Sequence, residues 1–286
     1  MTTTAPPPPR PRDENRLREL LPILQCPVTR RRLVWKNSQC VALDDDSRSW
    51  RVHEFRPVLH PGLERVVDHG QHVSHDICAE AQAVIDAADG PVLNLSAGGT
   101  RHWHPRVVEA EAAIFRNTDV IVDVHSLPFV DGSFAAVVAL NAFEHFRRPF
   151  EAAAEIARVL RPGGRLFIHT AFMQPLHEAP EHFFNATKHG VIEWFNAFTP
   201  ESVRVSDNFN PFFTIGWLAY EIGAAASRHL PPDEARRIVN LPLGEFARIW
   251  TSPDRHLHPV WQAFSRLPQE AQEGLAAGFE FVGRRR

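Results

Sequence analysis

The sequence is poor in the features that mark secreted, membrane-spanning or nucleic-acid-binding chains. Its 286 residues include only three cysteines, Cys26, Cys40 and Cys78, too few and too odd in number for a disulfide framework. Their scarcity points to a reducing compartment, so a cytoplasmic protein is expected. No run of about 18 apolar residues occurs, and no membrane span is expected. The opening stretch MTTTAPPPPRPRDENR lacks an apolar signal core and reads as a disordered, proline-rich tail over residues 1–16. An excess of one charge is missing too. The net charge is −3, and the arginine runs at 30–32 and 284–286 are too short for a nucleic-acid footprint. No internal repeat is present. What remains, 44% hydrophobic and 23% charged residues, is ordinary globular composition with room for one full core and a small second unit.

Leu17, Leu20, Leu21 and Leu24 recur at helical spacing, and Pro27 stops that helix. RRLVWKNSQCVAL and SWRVHEFRPVLHP read as short strands around an LDDDS turn, which makes a small α+β unit over 17–60. An amphipathic helix is expected over 71–89, within a connecting segment 61–90, and Gly90-Pro91 ends it. From 91 to the C-terminus strands and helices alternate, the pattern of a parallel sheet covered by helices. Strands are predicted at 91–95, 106–110, 118–122, 134–140 and 165–171, with a helix opened by Pro149 and ended by Pro162-Gly163-Gly164. ESVRVSDNF reads as a weaker strand. A helical stretch covers about 210–275, and GFEFVGRRR alternates like a last strand.

The stretch VLNLSAGGT, residues 92–100, ends a strand in small residues and glycines. Such a turn lets backbone N–H groups approach a ligand at the carboxyl end of a parallel sheet. The block that follows is DVHSLPFVDGSFAAVVALNAFEHFRRPFEAAAEIARVLRPGGRLFIHT. It resembles the second half of class I S-adenosylmethionine-dependent methyltransferases of the type 11 group. The likeness rests on Asp123, Leu127-Pro128-Phe129, the Asp131–Phe134 turn, Glu144-His145, Arg158-Val159-Leu160 and Arg161–Gly164, and it spans about residues 90–172.

The resemblance implies an α/β, Rossmann-like sheet whose last strand is antiparallel, and S-adenosyl-L-methionine as cofactor. It also implies a set of cofactor-binding positions. The loop would contribute Asn94, Ser96, Ala97, Gly98 and Gly99, although Asn94 stands where the pattern has an acid and Ser96 where it has a glycine. Glu111, 17 residues after Asn94, would accept the ribose hydroxyls; Glu109 competes, and strand alternation is taken to favour Glu111. Asp123 would accept the adenine amino group with Val124 beside it, and Asn141 would face the methionine end. The N-terminal unit resembles the zinc-ribbon-like domain of methyltransferase activator subunits. Thr29 replaces the second cysteine after Cys26, so no metal is expected.

PLHEAPEHFFNATKHG follows the fifth strand, where such enzymes form a wall of the acceptor pocket. Its histidines fit no zinc spacing. His182, His177 and, from the earlier block, His145 are candidate bases for an acceptor hydroxyl. Each competes with a purely structural role. The aromatic residues after 210, including Phe212, Phe213, Trp217, Trp250 and Trp261, read as helical core or as a lid. The expectation is methyl transfer to a small-molecule acceptor, oxygen before nitrogen or carbon, on a natural-product or sugar intermediate. An RNA methyltransferase is the alternative within enzymes, and a non-catalytic protein on the same fold is the alternative outside them.

Overall fold

In the computed structural model, helix α1 (Glu14–Leu20) begins where Asp13 caps it, its carboxylate accepting the Arg16 N–H at 3.0 Å. Pro22 ends it in a single 3-10 turn over Leu21–Ile23. The structure describes residues 6–74, 76–280, 282 and 284, without the side chains of Asp46 and Asn208. Leu17 and Leu20 of α1 are buried in one cluster with Leu93, Leu95 and Val108. Such burial stabilises by about 1.5–3 kcal/mol per side chain. Four strands follow, β1 (Leu33–Lys36), β2 (Gln39–Ala42), β3 (Asp45–His53) and β4 (Arg56–Leu59), paired antiparallel in sequence order. After α2 (Ala79–Ala87) come β5 (Val92–Leu95), β6 (Val107–Glu111), β7 (Val120–Val122) and β8 (Phe134–Leu140). Then follow α3 (Pro149–Val159), β9 (Leu160–His169) and α4 (Lys188–Trp194).

The nine strands form one sheet, in the order β1-β2-β3-β4-β7-β6-β5-β8-β9. The six from β4 to β9 are parallel, and β4 joins β7 through Val58↔Ile121 and Leu59↔Val122. The strands of the 17–60 segment therefore continue the main sheet. One sheet face packs on α1, α3 and α4 through Leu93, Leu95, Val108, Val137 and Ile156. The other packs on α2 through Val84, Ile85, Val92, Val107, Ala136 and Val138.

Several expectations change here. The connections β5–β6, β6–β7 and β7–β8 contain no α-helix; only β8–β9 is bridged by one. Cover comes instead from α1, which precedes all six parallel strands, and from α2, which lies between β4 and β5. The predicted helix over 71–89 shrinks to Ala79–Ala87, because residues 67–74 are bonded to loops at the sheet edge. The strand expected at 165–171 begins earlier, at Leu160, and ESVRVSDNF carries no strand but a 3-10 turn at its end. The last strand of the sheet is β9, and it runs parallel to β8, not antiparallel. Residues 276–280 are not strand, and Phe281, Gly283, Arg285 and Arg286 lie outside the described residues.

The proline-rich segment also differs from the expected tail. From residue 6 it lies along the sheet. Arg10 is 5% exposed, its backbone N–H donates to Asn117 Oδ1 at 3.1 Å, and its guanidinium donates to the Val107 carbonyl at 2.8 Å and to Asp119. Arg16 reaches the same carboxylate at 2.9 and 3.0 Å. Residues 1–5 lie outside the described residues.

The chain divides into two units. The first comprises residues up to 171 together with 186–201; the second comprises 172–185 and 202 onward. The second contains α5 (Pro211–His229), α6 (Pro232–Val239), α7 (Leu243–Thr251), α8 (Pro259–Ser265) and α9 (Gln269–Leu275). Its core is Ala226, Ala235, Ile238, Ile249, Val260 and Ala263. Among the described residues no helix is long and apolar enough to cross a membrane.

Candidate functional site

The carboxyl ends of β5, β6, β7 and β8 lie side by side, and most of the expected cofactor positions lie along this edge of the first unit. At the end of β5, Ser96 has φ +52° and Gly98 φ +57°, so the chain turns sharply through left-handed conformations. A non-glycine residue there costs on the order of 1 kcal/mol, which marks Ser96 as held in place by its surroundings. Its N–H donates to the Ala110 carbonyl at 2.9 Å, and Ala97 is buried beneath the loop.

Glu111 ends β6, half-buried, and accepts the Gly98 N–H at 2.9 Å and the Ala112 N–H at 2.7 Å. Burial pushes its pKa up, against the pull of the backbone N–H groups of Gly98, Ala112 and Ala113. A carboxylate has two oxygens and about four acceptor positions, so room remains for a diol. Asp123, just beyond β7, accepts both the N–H and the Nδ1 of His125 on Oδ1, at 2.9 and 2.8 Å. The His125 hydrogen bond holds its pKa down at about 2, so it stays ionised. Val124 is buried beside it. Asn141, beyond β8, is exposed, has φ +51° and donates its N–H to the His169 carbonyl at 3.0 Å. Asparagine tolerates that conformation better than most residues.

Asn94 stands apart from the edge. It is 1% exposed, and its Nδ2 donates to Glu109 Oε2 at 3.0 Å. Glu109 also accepts the Thr100 hydroxyl at 3.3 Å, and its backbone N–H donates to Asp119 Oδ2 at 3.0 Å. Burial, then the Asp119 charge, push its pKa up to about 8. Strand alternation does not separate Glu109 from Glu111, because residues two apart share a face. Height along β6 separates them: Glu109 is interior and Glu111 is at the edge.

The family block turns out to be largely scaffold. Arg158 donates to the carbonyls of Leu127 and Phe129 at 2.8 and 2.6 Å and to Asp131 at 2.7 Å. Glu155 accepts the Leu127 N–H at 2.8 Å. One helix thus clamps the segment that carries Asp123 and Val124. His145, half-buried on a 3-10 turn over Phe143–His145, follows Glu144 in the first unit. Glu144 is fully buried; its Oε2 accepts the Thr170 hydroxyl at 2.9 Å, and its Oε1 has no partner among the described residues. Sequence reading passed over Glu144 as an ordinary motif residue.

His177 and His182 belong to the second unit. The His182 Nδ1 accepts the His177 N–H at 3.2 Å, its Nε2 lies 3.3 Å from Asn185 Oδ1, and the two rings are 4.2 Å apart. The His177 ring also lies 5.3 Å from that of Trp217.

Comparison with known proteins fits this geometry. Residues 101–168 match the family model described as a methyltransferase domain. The "Probable tRNA methyltransferase 9B" of Mus musculus is 30% identical over 148 residues, which are 49% of this chain and 29% of that protein. An uncharacterised chloroplastic methyltransferase of Arabidopsis thaliana is 48% identical over 54 residues, 19% of this chain and 15% of its own. The chain thus spans less than a third of the length of these relatives. Among solved structures, the YcgJ protein of Bacillus subtilis overlaps 67% of this chain and 86% of its own at 20% identity, with a TM-score of 0.27. Residues 101–168 thus carry a methyltransferase domain, of the kind that works with S-adenosylmethionine.

Proposed function

We propose that the chain is an S-adenosylmethionine-dependent methyltransferase that binds its cofactor along the carboxyl edge of β5–β8 and methylates a small-molecule acceptor. The observation that carries the cofactor reading is the juxtaposition of Glu111 with the 96–100 turn. A half-buried carboxylate bonded to the Gly98 N–H, with ionised Asp123 on the next strand, matches the polar outline of an adenosine. In this reading Glu111 holds the ribose diol, Asp123 the adenine amino group, and Ser96, Ala97, Gly98 and Gly99 flank the sugar. Val124 packs on the base and Asn141 lies toward the amino-acid end. Asn94 acts on the loop from beneath, through Glu109.

When bound, the cofactor supplies a methyl group already activated by its sulfonium. The protein's task is then to align an acceptor atom in line and to keep water out. Transfer to oxygen requires loss of a hydroxyl proton, for which His145 is the candidate recipient in the unit that carries the cofactor edge. Calorimetric titration with S-adenosylhomocysteine tests the cofactor reading. Micromolar binding, about −8 kcal/mol, is expected, and no heat at millimolar ligand would refute it.

A second reading, transfer to RNA, is favoured by the name of the murine relative. Against it stands the net charge of −3, since phosphate contacts need clustered cations. Binding of bulk tRNA with a steep dependence on salt would decide for RNA; methyl transfer to a low-molecular-weight acceptor would decide for the small molecule.

A further inference from the structure

We propose that residues 67–74 together with Asp76, which precede the methyltransferase block, form a wall of the cofactor site, with Ser74 and His69 as cofactor-positioning residues. This inference rests on the cofactor reading above and adds to it a part that the family match, beginning at residue 101, does not include.

The segment crosses the carboxyl edge of the sheet and is fastened to it three times. Near β6, the Ile114 N–H donates to the Val67 carbonyl and the His69 N–H to the Ile114 carbonyl, both at 2.8 Å. The His69 ring stacks on Phe115, with centroids 4.5 Å apart and planes at 16°. That places His69 near enough to Glu111 to favour its charged form. Near β5, Ser74 and Gly99 exchange two bonds: the Ser74 N–H donates to the Gly99 carbonyl at 2.8 Å, and the Gly99 N–H to Ser74 Oγ at 3.0 Å. Beyond them Arg101 Nε donates to Asp76 Oδ1 at 3.0 Å.

Gly99 shows what this fastening demands. Unlike Gly98, it does not occupy the left-handed region, so its backbone angles do not require glycine. A Cβ on it would lie 2.2 Å from the His72 carbonyl oxygen, closer than any such contact can be. Gly99 is glycine because the segment passes directly over it. The loop lacks the acid and the first glycine of the family pattern, and the segment supplies the missing restraint. It holds the loop from above through Ser74, while Asn94 and Glu109 hold it from below.

The test is calorimetry of the full chain with S-adenosylhomocysteine, using Ser74→Ala, Ser74→Thr, His69→Ala and Gly99→Ala. Loss of one hydrogen bond to the loop should weaken binding about five- to tenfold in Ser74→Ala. Threonine, which keeps the hydroxyl, should restore affinity to within about twofold of the wild type. His69→Ala should weaken binding by a similar factor, and Gly99→Ala by about a hundredfold or more, because its methyl displaces the His72 carbonyl. Melting temperatures of Ser74→Ala and wild type without ligand should agree to within about 2 °C, which separates positioning from a general loss of stability. Backbone amides of 67–74 should exchange more slowly once the ligand is bound. If wild type binds and the Ser74 and His69 variants bind equally well, the segment is only an attachment and the proposal fails, even should Gly99→Ala not fold. If wild type does not bind, the cofactor reading itself fails.

Discussion

Glu109 and Glu111 stand two residues apart on one strand, point to the same face and live in opposite surroundings. Glu109 lies in a closed polar cluster with Asn94, Thr100, Asp119 and Arg10, fully covered, and burial pushes its pKa up to about 8. Glu111 lies at the sheet edge with backbone N–H groups on both oxygens and is only partly buried. About 7 Å of strand separates them along β6. The interior carboxyl belongs to the architecture: it accepts from Asn94 and Thr100 beside Asp119, which holds two arginines of the N-terminal segment. The edge carboxyl is free of that duty and available to a ligand. A polar group's role is decided here by its height on the strand, not by its chemistry or its face.

The interior half of the comparison can be broken at Asp119. Its carboxylate holds Arg10 and Arg16, with side-chain exposures of 2%, 5% and 17%. Asp119→Ala would leave those guanidinium groups without their counter-ion, and we expect a loss of about 3–5 kcal/mol of stability in urea unfolding. Affinity of the remaining folded protein for S-adenosylhomocysteine should stay within about threefold. A change under about 1 kcal/mol would show that the cluster is dispensable.

At the edge the balance should reverse. Glu111→Ala should reduce affinity for S-adenosylhomocysteine by about 1.5–3 kcal/mol, the scale of hydrogen bonds to a charged group. It should change folding stability by less than about 1 kcal/mol. Equal effects of Glu109→Ala and Glu111→Ala on affinity would erase the distinction.

The pH dependence of stability sharpens the contrast. Glu109 has its folded pKa raised above the ordinary value of 4.5, to about 8. Its contribution is therefore fully present below about pH 4.5 and is lost as pH rises through about 8. Asp123, held at about 2, behaves oppositely: its contribution is present above about pH 4 and is lost as pH falls through 2, so it adds no slope at neutral pH. Between about pH 5 and 8, Glu109→Gln should flatten the fall in stability by about 0.5–1 kcal/mol per pH unit, within the limit of about 1.4 for one proton. Parallel curves for variant and wild type would mean that Glu109 is ionised in the fold.

The smallest effect is expected at His182. Both of its ring nitrogens are engaged within its own segment, by the His177 N–H and by Asn185. Turnover of His182→Ala should fall less than about tenfold, whereas a general base would be worth about 10²–10⁴. A loss in that larger range would make His182 the proton acceptor and move the acceptor pocket's chemistry into the second unit.

Much of this was legible in the sequence where the signal is local. Strand β8 is an unbroken apolar run, Pro149 opens α3, and β5 and β6 lie within a residue of their predicted bounds. Glu111 is legible from its spacing after Asn94 at a strand end, and Asp123 from the resemblance to the type 11 group. What escaped reading was held by distant partners. The predicted helix at 71–89 loses its first turns, because Ile114 claims the backbone of Val67 and His69 just before it and Gly99 claims that of Ser74 within it. The proline-rich segment has the composition of a disordered tail, but Arg10 finds Asp119 and the Val107 carbonyl 109 and 97 residues away.

By itself the sequence determined the class of the domain, its parallel strands and the carboxylates at their ends. Apolar runs, turn residues and motif spacing act within a few residues of one another, and no distant contact is needed to read them. Tertiary structure alone decided which of two neighbouring glutamates is buried, why Gly99 must lack a side chain, and what covers a sheet that has few crossover helices. Those outcomes depend on which distant backbone and charged groups meet. Hydrogen bonds and ion pairs between residues dozens to a hundred positions apart leave no periodicity in the chain that makes them.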